Sequence, residues 1–350
     1  MARWEDRLFE TEPGILGELL RLPLTALAFP YALIGRARAW AFRNGWLASR
    51  KLPLPVISIG NLTLGGSGKT PVAIWLAEKL RDRGFQPAIS IRGYRSQAER
   101  GLLLIKNSSD QKLDPNLVGD EACLIAKRLK NIPVLVGKNR TEAGIQAAEM
   151  GSRVLILDDG FQHLKLKRDL DILLLDAGKN IFREKLFPRG RLREPLSALK
   201  RAGMVILTRA SEQTADLAAQ IEKIHPACPV FKMRYRASAP GQSAGKKVFA
   251  FAGIADPLQF FELAQSLGLA LAGKKSFSDH HYYSAEELAK IEREAYAAGA
   301  EMLLTTEKDL ARLGSKKTGM RLEALLIEPD FLGDEEKILG PVIKKLRIGK

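Results

Sequence analysis

The sequence predicts an α/β protein, a doubly wound parallel sheet with a second, smaller α/β lobe and an N-terminal helical arm. Three observations carry this. Short apolar runs alternate with helical periodicity from residue 51 to about residue 236. The first run, Val56-Ile57-Ser58-Ile59, breaks into a glycine-rich turn that opens a helix. A small, polar stretch at 237–245 (ASAPGQSAG) reads as a linker, with further strand and helix patterns beyond it. The chain has 350 residues, and single cores seldom grow past roughly 250–300 residues. The expected division is therefore an arm at 1–50, a first α/β domain at 51–236 and a C-terminal lobe at 237–350.

The arm comes first. Residues 1–14 carry Glu5, Asp6, Glu10 and Glu12, which is wrong for the basic start of a secretory signal. The apolar stretch 22–34 is flanked by Arg21 and Arg36 and contains Pro23 and Pro30. It is shorter than the roughly 20 residues that span a bilayer, so no transmembrane segment is expected. Residues 19–51 hold six basic residues and no acidic one, interleaved with Phe29, Tyr31, Trp40, Phe42 and Trp46. At helical spacing Arg36, Arg43 and Arg50 share one face, with Tyr31, Ile34 and Phe42 roughly opposite. Arg38 falls among the apolar positions and would have to snorkel. Such a segment suits an anionic lipid interface; an ordinary core helix with a solvated basic edge has the same pattern.

Next comes the turn after the first strand, residues 63–70, Thr63-Leu64-Gly65-Gly66-Ser67-Gly68-Lys69-Thr70. Its glycines let backbone N–H groups close around an oxyanion. Lys69 supplies a point charge for outer phosphates, the Thr70 hydroxyl suits Mg²⁺, and the following helix aims its positive end at the same anion. This is a P-loop with one departure, Thr63 where the usual motif has glycine. The fold expected is thus P-loop NTPase-like.

Beyond it Val72, Trp75, Leu76 and Leu80 recur at helical spacing, with Gly84 as the C-cap. Strands are expected at 88–91, 134–136, 154–157, 170–175 and 205–207, and helices at 121–129 and 142–150. Ligands in such sheets lie beyond the carboxyl ends of the strands. The run Val154-Leu155-Ile156-Leu157 ends in Asp158-Asp159-Gly160, the arrangement that places a carboxylate near P-loop Mg²⁺. Asp176 ends a similar strand, where a structural role is expected. Gly119-Asp120-Glu121 opens a helix, and its residues alone favour helix capping over a carboxylate that accepts a proton from a hydroxyl. Arg189, Arg191 and Arg193 alternate on a Pro/Gly-broken loop, either solvated or clamping phosphate. Arg92-Gly93-Tyr94 is similarly placed after the second strand.

In the C-terminal lobe strands are expected at 248–251 and 302–305, and helices at 258–267 and 285–298. Two of the four histidines sit together in Asp279-His280-His281-Tyr282, and Thr305 to Asp309 leads from strand to helix, where capping explains much of the pattern. That last stretch is not the Asn-Lys-x-Asp guanine-reading motif, which weighs against a GTPase.

Composition narrows the partners. A net charge of +15 calls for an acidic one, whether nucleic acid, anionic membrane or phosphorylated small molecule. The basic residues are spread over several loops without a nucleic-acid module, so no nucleic acid is expected. Cys123 and Cys228 have no metal-ligand or disulfide spacing.

These motifs together resemble the tetraacyldisaccharide 4′-kinase family of Gram-negative bacteria. The resemblance runs in order along almost the whole chain. It comprises SIGNLTLGGSGKTP from Ser58, RGY from Arg92, GDE from Gly119, LDDGFQH from Leu157, GRLREP from Gly190, DHHYYS from Asp279 and TTEKD from Thr305. The family's own P-loop has the Thr63 variation. The resemblance implies transfer of the γ-phosphoryl group of ATP, with Mg²⁺, to the 4′-hydroxyl of a tetraacyl glucosamine disaccharide 1-phosphate. It further implies a peripheral monomer at the cytoplasmic face of the inner membrane. By the same resemblance Asp120 is the base and His280, rather than His281, its partner. Asp158 and Asp159 are the acidic pair near the metal, and Arg193 and Glu194 an active-site pair. Tyr94, Arg92, Arg140, Gln162 and His163 are assigned to the substrates. The competing reading is a membrane-associated partition-type ATPase, whose loop has lysine where this chain has Leu64.

Overall fold

The computed structural model describes residues 21–65, 68–94, 96–106, 113–211, 214–239, 241, 245–314 and 316–348. In chain order the elements begin with helix α1 (Leu22–Arg43), strand β1 (Val56–Asn61) and helix α2 (Lys69–Asp82). Then follow β2 (Pro87–Ile91), β3 (Leu102–Ile105), α3 (Pro115–Val118), α4 (Asp120–Arg128), β4 (Val134–Gly137), α5 (Arg140–Glu149) and β5 (Val154–Asp158). Next are β6 (Leu170–Asp176), β7 (Met204–Thr208), α6 (Thr214–Ile224), β8 (Val230–Ser238), β9 (Lys247–Ala252) and α7 (Pro257–Ser266). The chain closes with β10 (Ala270–Ser276), α8 (Ala285–Ala297), β11 (Met302–Thr306), α9 (Glu307–Leu313), β12 (Leu322–Phe331) and α10 (Glu335–Ile348). The α/β class with a parallel sheet is the one expected. Every expected strand and helix is present within a residue or two at each end.

By contact the chain divides into two compact units, each assembled from separated stretches. The first holds residues 1–69, 153–234 and 331–350, the second residues 70–152 and 235–330.

In the first unit β1 pairs in parallel with β5 and with β6, β6 with β7, and β7 with β8. The register Ile59↔Asp158 brings the carboxyl ends of β1 and β5 level, so the glycine-rich turn and the Asp158-Asp159 pair leave the sheet together. The central strands β1 and β5 are buried along their whole length, which is why they read as unbroken apolar runs rather than alternating ones. A core of Leu62, Phe161, Leu173, Leu192, Leu199 and Val205 underlies the ends of these strands. Gly60 sits where a Cβ would collide with the Cβ of Phe161 and lie 2.9 Å from its backbone nitrogen. That close approach lets the 160–163 turn cross the end of β1.

In the second unit β2 pairs in parallel with β4, and β3 lies antiparallel to β4. Strands β10, β9, β11 and β12 pair in parallel in that order. Ion pairs bind the two stretches of this unit together: Arg128 to Glu307 (2.9 Å) and Glu328 (3.4 Å), and Lys308 to Glu121 (2.8 Å). Among the described residues, four strands escape the sequence patterns. β10 is half-exposed and mostly Ala, Gly and Lys; β8 and β12 mix charged residues into partly exposed faces; and β3 is a four-residue antiparallel addition. Strand β8 continues to Ser238, two residues beyond the expected boundary at 236.

Candidate phosphoryl-transfer site

One cluster belongs to the first unit. Thr63 forms an antiparallel bridge with Leu192, the Leu64 N–H donates to the Arg191 carbonyl (2.7 Å), and the Arg193 N–H to that of Leu62 (2.7 Å). The GRLREP loop is thereby zipped onto the entry to the P-loop. A β-branched residue suits that extended position, which accounts for Thr63 in place of glycine. Farther along, Gly65 and Gly68 take φ of 103° and 72°, the left-handed region where glycine is free of Cβ strain. Gly66 and Ser67, expected to bind nucleotide, lie outside the described residues.

Zipping brings the Arg193 side chain to Asp159, where its Nη1 donates to both carboxylate oxygens at 3.0 and 2.9 Å. Lys69 Nζ stands 3.5 Å from the same carboxylate. Asp159 thus joins two cations at the P-loop, and it does so from a left-handed backbone (φ 55°) that costs a non-glycine residue energy. Its neighbour Asp158 ends β5 and is buried. Gln162 Nε2 donates to the Asn61 carbonyl at the end of β1 (2.9 Å), and half-buried His163 follows in the same turn. Glu194 takes two bonds from Arg201 (2.6 and 3.1 Å), whose guanidinium lies 4.4 Å from the Phe161 ring.

Helix α1 reaches the same loops. The Tyr31 hydroxyl donates to the Arg193 carbonyl (2.8 Å) and its ring meets Phe187 edge-on at 5.6 Å. Arg38 does not merely snorkel: it donates to the Gln162 carbonyl (3.3 Å) from beside the Phe42 ring. Other large apolar side chains of this segment, Phe29, Leu33, Ile34 and Trp46 among them, are exposed.

The second cluster belongs to the second unit. Gly119 precedes α4 with φ 90°, and Asp120 is the first helical residue; its Oδ1 accepts the Glu121 N–H at 2.9 Å. The N-cap position itself is Gly119, so Asp120 does not cap the helix and only takes up one N–H of its first turn. Its other oxygen, Oδ2, lies 3.1 Å from Nδ1 of His280, 160 residues away in the chain. His280 holds φ 59°, a second strained residue among those singled out from the sequence. His281 points elsewhere, 3.1 Å from Glu287 and stacked on Phe277.

A residue no sequence pattern marked completes the group. Arg312, in the last turn of α9, donates from Nε to Asp120 Oδ2 (2.8 Å), and its Nη2 lies 2.8 Å from the same oxygen. The only signal in the sequence was a basic residue near a helix C-terminus, which ordinarily means a solvated charge complementing the dipole. Arg312 is instead 6% exposed, and its Nη1 pairs with Asp309 (2.8 Å) and with the Gly253 carbonyl. Burial alone would raise the Asp120 pKa. The His280 hydrogen bond and the charges of Arg312 and Lys308 outweigh it and hold the carboxyl well below the usual carboxylate range.

The substrate assignments fall differently. Tyr94 is exposed, with the Arg92 guanidinium 5.8 Å from its ring, and Arg92 pairs with Glu99 at 2.7 Å. Arg140 is buried at the start of α5 and donates to the Ser90 hydroxyl (3.0 Å). Thr70 is buried in the first turn of α2.

The chain matches the LpxK family, described as tetraacyldisaccharide-1-P 4′-kinase, over residues 20–346. It is 38% identical over 314 residues to the tetraacyldisaccharide 4′-kinase of Desulfotalea psychrophila, covering 86% of this chain and 89% of that one. With the enzyme of the same name from Desulfatibacillum aliphaticivorans it shares 37% over 358 residues, 96% of this chain and 95% of that one. A crystal structure of LpxK from Aquifex aeolicus in complex with ATP superposes with a TM-score of 0.76 at 32% identity, covering 93% of this chain and 99% of that one. The chain belongs to the tetraacyldisaccharide-1-P 4′-kinase family.

Proposed function

We propose that this protein is an ATP-dependent kinase of the 4′-hydroxyl of tetraacyl glucosamine disaccharide 1-phosphate, yielding the lipid A precursor lipid IVA. Beyond family membership, the observation that carries the mechanism is the Asp120–His280 pair, a half-buried carboxylate and an imidazole meeting across 160 residues. The acceptor hydroxyl passes its proton to Asp120 as its oxygen bonds the γ-phosphorus, and the bond from that phosphorus to ADP breaks. His280 orients and tunes the carboxylate. Phosphoryl transfer asks a protein for positioning and charge neutralisation more than for covalent chemistry. The P-loop backbone from Thr63 to Thr70, Lys69 and Arg193 supply these, with Asp159 holding the two cations in register. Glu194, tied to Arg201, supports the Arg193 loop. Tyr94, Arg92, Arg140, Gln162 and His163 are assigned to the substrates.

Mg²⁺ fits the residues available. Thr70 and Asp158 offer a hydroxyl and a carboxylate, hard oxygen donors on the first turn of a helix and the tip of a strand. When bound there it would neutralise charge on the nucleotide phosphates.

The functional division follows the chain: arm at 1–50, kinase domain at 51–236, lobe at 237–350, with the compact units interleaving these stretches. The arm seats a monomer peripherally on the cytoplasmic face of the inner membrane, acyl chains meeting its aromatics and phosphate its arginines. Among the described residues no helix is long and apolar enough to cross a membrane.

Incubation with γ-labelled ATP and the tetraacyl disaccharide 1-phosphate should label the lipid. Asp120→Ala should lower kcat by about 10²–10⁴-fold, the usual share of a general base, and His280→Ala by less. Unlabelled lipid with the wild-type chain would overturn the kinase reading. Wild-type activity in both variants would overturn the dyad.

A further inference from the structure

We propose that Arg312 is a positioning residue for the kinase reaction: its buried guanidinium fixes the Asp120 carboxylate so that one acceptor direction, on Oδ1, faces the sugar hydroxyl. The proposal rests on the reading of Asp120 as the base.

A carboxylate has about four lone-pair directions. On Asp120, Oδ2 takes the Arg312 Nε–H at 2.8 Å and the His280 contact at 3.1 Å. Oδ1 takes the Glu121 N–H at 2.9 Å. Among the described residues this leaves one direction, on Oδ1, where a hydroxyl has to approach to give up its proton. Without Arg312 the carboxylate could turn about χ2 and offer either oxygen.

Arg312 suits this task because it is itself immobilised. Its other edge is paired with Asp309, a fully buried carboxylate. Asp309 also accepts from the Tyr283 hydroxyl (3.0 Å), the Gly253 N–H (3.1 Å) and the Thr306 hydroxyl (2.7 Å). Three donors besides the guanidinium thus hold the anchor, and the planar fork of arginine transmits that rigidity to Asp120. Gly253 has to be glycine here, since a Cβ would lie 2.8 Å from the Tyr283 hydroxyl and 3.1 Å from Asp309 Oδ1. The geometry also constrains the imidazole. Arg312 Nη2 stands 3.4 Å from Nδ1 of His280, and a guanidinium has no acceptor. Among the described residues an Nδ1–H has only Asp120 Oδ2 to donate to, which keeps the ring turned toward the base.

The charges around Asp120 are Glu121 on its own helix, Asp279 and His280 on the facing loop, and Lys308, Asp309 and Arg312 on α9, with the Cys123 thiol one turn along α4. Arg312 is a buried cation in direct contact with the carboxylate. Losing it raises the pH at which the carboxylate ionises, so the acid limb of kcat moves to higher pH.

The test measures kcat, KM for ATP and the pH profile of kcat for the full chain acting on the tetraacyl disaccharide 1-phosphate in mixed micelles. It compares wild type with Arg312→Gln, Arg312→Lys and Asp120→Asn. Arg312→Gln should lose about 10- to 100-fold in kcat, the range seen when a partner orienting a site group is removed. KM for ATP should change less than about twofold, and the acid limb should move upward; Arg312→Lys, keeping the charge without the fork, should recover the limb and only part of kcat. A merely structural role would lower the active fraction and the melting temperature with the limb unmoved, and that result overturns the proposal. If Arg312→Gln does not fold, Arg312→Lys decides, and wild-type kcat in that variant also overturns it. Asp120→Asn separates the two readings. Activity kept there takes down the base and this proposal with it, whereas activity lost there but kept in Arg312→Gln takes down Arg312 alone.

Discussion

At the scale of single residues, the chemistry of the proposed site depends on a few side chains held against their ordinary preferences. Asp159 and His280 both sit in left-handed backbone, and Arg312 and Asp309 are charges taken out of water. Buried charges persist when they are paired and hydrogen-bonded, and removing one partner then costs more than the pair contributes. Asp120 belongs to the same economy of paired charges, with a consequence for stability. Its pKa is depressed in the folded chain, so its contribution is present above the unfolded carboxylate value of about 3.9 and is lost as pH falls below it. Wild type should melt higher than Asp120→Asn near pH 7, and the gap should shrink on acidification below about pH 4. Calorimetry at both pH values checks this. An undiminished gap would mean that packing rather than charge holds the residue.

At the scale of elements, the unexpected finding is what α1 touches. Its sequence reads as a surface segment, basic on one side and aromatic on the other. In the fold it also bonds to two carbonyls that belong to loops of the candidate site, Arg193 through Tyr31 and Gln162 through Arg38. Arg193 chelates Asp159 beside Lys69, and Gln162 is tied to the end of β1, so the helix braces the turns on either side of the P-loop entry. Tyr31→Phe keeps the edge contact with Phe187 and deletes only the hydroxyl. One net hydrogen bond is worth about 0.5–1.5 kcal/mol, so kcat should fall by up to about tenfold with the melting temperature little changed. Wild-type kcat in that variant would detach α1 from the chemistry.

At the scale of the whole molecule, two properties act together: a formal charge of +15 and a helix whose large apolar side chains stay exposed. An anionic lipid surface satisfies both, the charge through attraction within a Debye length and the side chains through burial at the interface. Replacing Phe29, Ile34 and Trp46 by serine should reduce cosedimentation with vesicles containing anionic lipid, and raising salt to 0.5 M should weaken what binding remains in the wild type. Undiminished cosedimentation of the triple variant would remove the arm from membrane binding.

What the sequence determined by itself is whatever physics settles within about ten residues. A strand running into glycines, then Lys69 and Thr70, is the pattern of an anion-binding turn. Leucine and valine at strand spacing place Asp158 at a tip. The ordered series of motifs added the family. Tertiary structure alone decided which of these pieces meet. Asp120 and Arg312 stand 192 positions apart, each reading locally as an ordinary helix-end charge. The Arg193 loop finds Asp159 because backbone hydrogen bonds seat it on the P-loop entry, and such bonds leave no mark on side-chain patterns. A charge reveals its role only through the partner that takes it out of water, and chain topology chooses that partner.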